Sequence, residues 1–163
     1  RQLLRERATL MRHGIRFLTI GDLTRLPDAV RKVVAQVTEE TSANTGMVLT
    51  FALSFGGRQE ITQMVQEVVR QTKLGGLQEH EIDEALVASL MPSSFLPDPD
   101  LIIRTSGERR LSNFFLWQAA YSEIEFEDRP WPQFTIEDLH RILAQYSSRE
   151  RRFGRTSEQL ELR

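Results

Sequence analysis

Met47-Val48-Leu49-Thr50-Phe51-Ala52-Leu53-Ser54, then Phe55-Gly56-Gly57-Arg58, then a run with apolar residues at Ile61, Met64, Val65, Val68 and Val69 reads as strand, glycine turn and amphipathic helix. Glycine admits the positive φ that a tight strand-to-helix turn needs. In the strand, Met47, Leu49, Phe51 and Leu53 alternate with smaller residues and fall on one face. The apolar content on both faces is that of a strand covered by helices.

The same alternation extends in both directions. Towards the amino terminus, Leu26–Thr41 has the apolar spacing of a helix, Ile15–Ile20 reads as a strand, and Gln2–His13 as a helix stopped by Gly14. Towards the carboxyl terminus, Ile61–Thr72 and Glu79–Leu90 read as helices, Met91–Pro99 as an exposed connection and Leu101–Ile103 as a short strand. Ser112–Ala120 is expected to be helical and Ile124–Phe126 a last strand. Thr135 with Asp138 forms a capping box that opens a helix from Ile136 to about Arg149. Strands alternating with helices predict an α/β fold, a mostly parallel sheet flanked by helices, with ligands at the carboxyl ends of strands.

The chain has 163 residues and 40% hydrophobic content, the size of one ordinary domain, with residues 155–163 a polar tail. A net charge of −2 argues against nucleic acid as a partner, because binding a phosphate backbone needs a basic stripe. There is no cysteine, which excludes disulfides, zinc ribbons and thiol catalysis and agrees with a cytoplasmic location. No apolar run approaches the roughly 20 residues that span a bilayer. The first residues are neither Met nor a signal peptide, and the expectation is a fragment or processed product of a longer protein.

Three polar clusters are expected to follow strands: Ser54–Arg58, Arg104–Arg110 and the acidic region at Glu123. The middle one places Arg104, Arg109 and Arg110 around Gly107, with Ser112 at an expected helix start. Arginine forks match phosphate oxygens, and a helix amino terminus adds backbone donors. A plainer account has these arginines paired with Asp98, Asp100 and Glu108 on a solvated loop, with Ser112 only a cap. His13, His80 and His140 have no metal-binding spacing, and no nucleotide-binding glycine motif occurs.

The stretch from Asp100 through Arg104-Thr105-Ser106-Gly107-Glu108-Arg109-Arg110-Leu111-Ser112-Asn113 to Glu123 resembles the long signature of the cis-prenyltransferases of the undecaprenyl-diphosphate-synthase type. Ile20-Gly21-Asp22, Asn44-Thr45-Gly46, Phe55-Gly56-Gly57-Arg58, Trp131-Pro132 and Arg151-Arg152-Phe153-Gly154 extend the likeness over nearly the whole chain, so that residues 1–154 resemble the carboxy-terminal part of one such domain. The resemblance implies that Arg104 and the Arg110-Leu111-Ser112 stretch bind the diphosphate of isopentenyl diphosphate. It implies that Glu123 takes part in Mg²⁺ coordination, and that Arg152 and Gly154 reach the partner's site in a homodimer. Arg109 stands where some relatives hold a metal-associated histidine, and a guanidinium is no metal ligand. Arg58 is left without a definite role. One face of Met47–Ser54 is either helix-covered core or a wall of the family's product tunnel.

The family's Asp-Gly-Asn-Gly-Arg segment, which carries its main catalytic aspartate, and its Ser-x-Glu-Asn-Trp segment do not occur in these 163 residues. No confident catalytic residue is therefore assigned, and the chain alone is expected to be inactive. For the parent protein the resemblance implies condensation of isopentenyl diphosphate with an allylic diphosphate, forming a cis double bond, with peripheral membrane contact through the lipid product. The competing functions are a non-catalytic subunit of a heteromeric prenyltransferase and an unrelated anion-binding α/β module. Retention of Arg104, Arg110, Ser112 and Glu123 speaks against the first, since a pure activator has little need of an acceptor site.

Overall fold

In the computed structural model, which describes residues 2–149, the chain forms five α-helices and four strands and divides at Leu96–Pro97 into two compact units. The first unit holds α1 (Gln2–Arg12), β1 (Arg16–Ile20), α2 (Asp28–Glu40), β2 (Val48–Ala52), α3 (Gly57–Lys73) and α4 (Glu84–Leu90). β1 and β2 pair in parallel from Arg16–Val48 to Ile20–Ala52. Leu10 of α1, Phe17 of β1, and Val34 and Val37 of α2 form the buried core, with Leu49 and Leu53 packed on it. The face carrying Leu49 is thus helix-covered core in part; Met47 and Phe51 on the same face are exposed.

The corner between α2 and β2 shows why its polar residues stand where they do. Thr41 is fully buried, and its hydroxyl accepts from Phe17 N at 3.0 Å while donating to Val37 O at 2.8 Å. Asn44 Nδ2 donates to Ile15 O at 2.8 Å, and Gly46 N donates to Gly14 O at 2.9 Å. A Cβ on Gly46 would lie 2.7 Å from Gly14 O, so only glycine permits the approach.

Three local expectations for this unit need correction. Helix α3 starts at Gly57, not Ile61, and its first-turn Glu60 is buried, with Oε1 accepting from Ser93 N at 2.8 Å. Met91 and Ser93 are accordingly buried, so the chain after α4 is not wholly an exposed connection. The expected helix over Glu79–Leu90 is divided: Glu79–Glu81 forms a 3₁₀ turn, and Asp83 opens α4 by accepting from Leu86 N at 2.7 Å.

The second unit contains β3 (Leu101–Arg104), β4 (Glu123–Phe126) and α5 (Ile136–Ser147). β3 and β4 are parallel, from Leu101–Glu123 to Arg104–Phe126. Among the described residues the parallel pairing therefore falls into two separate two-stranded sheets. The capping box at Thr135 and Asp138 is present as read, and Ile142 of α5 is buried.

Ser112–Ala120 is not a helix. Ser112, Asn113 and Phe115 have positive φ, and only Gln118–Tyr121 closes into a 3₁₀ turn. The run Phe114-Phe115-Leu116-Trp117 has helix-compatible apolar content, but an α-helix needs negative φ throughout, which Ser112, Asn113 and Phe115 do not have. Arg152, Gly154 and the tail at 155–163 lie outside the described residues.

Candidate functional site

Arg104 is the last residue of β3, and the loop after it is fastened to the chain leaving β4. Glu127 N donates to Arg104 O at 2.8 Å, Gly107 N to Glu127 O at 3.0 Å and Ser106 N to Arg129 O at 2.9 Å. A second turn follows, where Phe114 N donates to Leu111 O at 3.1 Å with Ser112 at φ 50°. Arg104 Nη2 stands 3.5 Å from Ser112 Oγ, a long contact. Arg110 pairs with Glu108 at 2.5 Å, but its side chain is 70% exposed, so the pair contributes little to stability and the guanidinium is within reach of an incoming anion.

Between these turns and the strands lies a cavity of about 210 Å³. Ile102, Leu111, Phe114, Ile124 and Phe126 give it apolar walls, and Arg104 and Arg110 add two cations. A short apolar chain with an anionic head matches that distribution: the walls take the hydrocarbon and the guanidinium forks take the oxygens. Of the residues read from the sequence, Arg104, Arg110 and Leu111 line this cavity and Ser112 touches Arg104. With no helix at Ser112, the expected donors from a helix amino terminus are not supplied there.

Glu123 sits elsewhere on the strand pair. It begins β4, where the sequence reading placed it in a cluster following a strand, and it faces Leu101 across the ladder. Ile124 and Phe126 line the cavity, so alternation turns Glu123 and Glu125 to the other side of β4. There Arg149 meets both, Nη1 at 3.0 Å from Glu123 and Nη2 at 2.8 Å from Glu125. Hydrogen bonds with Glu125 and Glu123 push the guanidinium of Arg149 above its already high range, so it stays a cation.

Mg²⁺ is commonly held by one or two carboxylates together with substrate phosphates. The Glu123–Glu125 pair offers such hard oxygen donors. Among the described residues no group of three or more His, Cys, Asp or Glu is arranged for a metal. Glu125 and Arg149 were missed by sequence reading. The spacing of Glu123 and Glu125 was a legible signal for a shared strand face, whereas nothing local points to Arg149.

In the first unit, the ends of β1 and β2 border a hollow of about 40 Å³, lined by Gly21, Asp22, Ser54, Gly56 and Glu60 among others. That is room for water, not for an organic substrate. Asp22 accepts from the Thr24 hydroxyl at 2.5 Å and from Thr24 N at 3.0 Å, and these bonds, the hydroxyl one foremost, hold its carboxyl below the usual range. Arg58 is exposed on the first turn of α3, and Ser54–Arg58 forms the strand-to-helix turn, but not through a positive-φ glycine as expected: Gly56 is extended at φ −155°, Gly57 already belongs to α3, and it is Ser54 that has φ 50°.

The family described as "Putative undecaprenyl diphosphate synthase" matches residues 1–154. Isoprenyl transferase of Porphyromonas gingivalis is 44% identical over 161 residues, covering 99% of this chain and 63% of that protein. Isoprenyl transferase of Chlorobaculum tepidum is 48% identical over 158 residues, covering 97% of this chain and 60% of that one. Among solved structures, lavandulyl diphosphate synthase from Lavandula x intermedia, in complex with dimethylallyl diphosphate, superposes with a TM-score of 0.90 at 35% identity over 93% of this chain and 66% of its own. A probable undecaprenyl diphosphate synthase from Campylobacter jejuni gives 0.80 at 32% identity over 94% of this chain and 70% of its own. This chain spans somewhat under two thirds of the curated relatives' length. A match over residues 1–154, with relatives at 44–48% identity, means that the chain belongs to the undecaprenyl diphosphate synthase family of prenyltransferases.

Proposed function

We propose that the protein containing this chain is a Mg²⁺-dependent cis-prenyltransferase that joins isopentenyl diphosphate to an allylic diphosphate. The observation that carries this reading is the apolar cavity flanked by Arg104 and Arg110, in a chain whose relatives are named isoprenyl transferases. A related solved structure, the lavandulyl diphosphate synthase, is a complex with dimethylallyl diphosphate, itself an allylic diphosphate. Residues 1–154 are taken as part of one prenyltransferase domain.

In the proposed reaction the allylic carbon–oxygen bond breaks and diphosphate leaves with the electron pair. The double bond of isopentenyl diphosphate supplies the electrons for the new carbon–carbon bond, and loss of a proton from the adduct forms the cis double bond. Arg104 and Arg110, with Leu111 and Ser112 beside them, hold the acceptor diphosphate by charge-assisted hydrogen bonds. The apolar walls keep water from the electron-deficient allylic carbon. Bound Mg²⁺ would neutralise charge developing on the leaving diphosphate, with Glu123 among its ligands. Arg152 and Gly154 are assigned to the partner's acceptor site in a homodimer. The setting is the cytoplasm, with peripheral membrane contact through the lipid product.

The test is incorporation of labelled isopentenyl diphosphate by the intact protein with farnesyl diphosphate and Mg²⁺, for the parent and Arg104→Ala. Hydrogen bonds to charged groups contribute about 1.5–3 kcal/mol, so KM for isopentenyl diphosphate should rise by roughly 10- to 150-fold. Unchanged KM and kcat in the variant would remove Arg104 from the site. The 163-residue chain purified alone should show no turnover, and verified turnover by it would refute the need for the Asp-Gly-Asn-Gly-Arg segment.

A further inference from the structure

The two oxygen-bearing side chains on the outer side of β4 are already occupied by a cation from the chain itself. Glu123 and Glu125 stand on one strand face, and a single guanidinium bridges them, with Arg149 Nη1 3.0 Å from Glu123 Oε2 and Nη2 2.8 Å from Glu125 Oε2. The glutamate side chains are 23% and 21% exposed and that of Arg149 43% exposed, so the carboxylates are partly buried while the guanidinium still meets solvent. Two carboxylates so placed repel unless a positive charge lies between them. A guanidinium cannot lose its proton in the ordinary pH range, so deprotonation of Arg149 does not open the clasp; it opens when either partner swings away or when the carboxylates meet a competing cation.

We propose that Arg149 is a built-in counter-ion that competes with the divalent cation for Glu123. The inference rests on the metal role proposed for Glu123 and adds that this residue has two competing partners. In the state described here its carboxylate is turned to Arg149 and away from the arginine-lined cavity. A cation taking Glu123 must either displace Arg149 from Oε2 or bind Oε1 against the charge of the neighbouring guanidinium, and both are opposed by the clasp. The coupling is reciprocal: the clasp weakens metal binding by the factor by which metal binding loosens the clasp. Removing Arg149 therefore strengthens metal binding, the opposite of what loss of a supporting residue would do.

Mn²⁺ alone serves as the probe, with free ion counted by electron paramagnetic resonance during titration of the intact protein and folding checked by circular dichroism. Arg149→Gln should bind Mn²⁺ roughly three- to tenfold more tightly than the parent, the scale of two partly exposed ion pairs released. Arg149→Lys keeps the charge but gives up the two-pronged geometry, and should shift affinity in the same direction by a smaller factor. Should the glutamine variant fail to fold, the lysine variant carries the test, and an unchanged affinity there overturns the inference. Glu123→Gln should lose this Mn²⁺ site. If it does, and Arg149→Gln leaves affinity unchanged or weaker, competition is refuted while Glu123 keeps its metal role. If Glu123→Gln binds Mn²⁺ as the parent does, the metal role itself fails and the inference with it.

Discussion

Thr41→Val replaces a hydroxyl by a methyl of nearly the same volume at a fully buried position. Along a parallel strand successive backbone N–H groups point to opposite edges. Arg16 N bonds Met47 O at 2.9 Å on the β2 side, so Phe17 N points to the other edge, where the Thr41 hydroxyl meets it at 3.0 Å. Valine leaves that N–H buried and unpaired. Val37 O does not share the loss, because Thr41 N also donates to it at 3.1 Å. One orphaned buried donor costs about 1–3 kcal/mol. With a urea m-value of about 1–3 kcal/mol per molar, the midpoint should fall by roughly 1 M at unchanged m. Thr41→Ser, which keeps the hydroxyl, should lose clearly less. Equal midpoints for the valine variant and the parent, or a serine variant as unstable as valine, would refute the assignment of the Phe17 bond as the reason for threonine here.

Gly21→Ala should be among the most damaging single-methyl changes: φ is 102° and the new Cβ would lie 2.2 Å from Leu53 O, so a loss of about 3 kcal/mol or more is expected by urea unfolding, and an unaltered midpoint would contradict the geometry. Asp138 accepts from Thr135 N at 3.0 Å, from the Thr135 hydroxyl at 3.1 Å and from Arg129 at 2.9 Å, and its carboxyl is held below the usual range chiefly by the backbone bond. A depressed folded value means that its stabilisation is complete above the unfolded pKa of about 3.9 and is lost as pH falls through the lower folded value. Asp138→Asn should therefore flatten the acid limb of stability against pH below about 4, and curves that stay parallel for variant and parent would contradict this.

What was legible in the sequence was local. The capping box at Thr135 and Asp138 needs only residues three apart, and α5 opens there. Helix α1 ends at Arg12, one residue before the expected last helical residue His13, and each strand core lies where alternation or an apolar run placed it. Periodicity failed where other forces set the backbone. The first turn of α3 carries no apolar stripe, so its start at Gly57 was hidden, and the burial of Glu60 depends on Ser93, 33 residues away. Between Ser112 and Phe115 three residues adopt positive φ, which apolar content cannot foretell.

The site divides along the same line. Arg104 closes β3 and Arg110, Leu111 and Ser112 belong to the loop that follows, so reading one short stretch was enough to bring them together. The neighbour of Glu123 lies 26 residues further on, beyond the reach of any local pattern. Yet the four letters of β4, Glu123-Ile124-Glu125-Phe126, already contain the division of labour, because a strand with period two must send the apolar pair one way and the acidic pair the other. The register that keeps this division is pinned at both ends, by Glu123 N donating to Asp100 O at 3.0 Å and Glu127 N to Arg104 O at 2.8 Å. A slip of one residue would turn carboxylates into the arginine-lined cavity and neutralise the cations that the proposed anionic substrate needs. The backbone bonds flanking β4 therefore protect the charge of the cavity as much as its shape, though none of them touches a ligand.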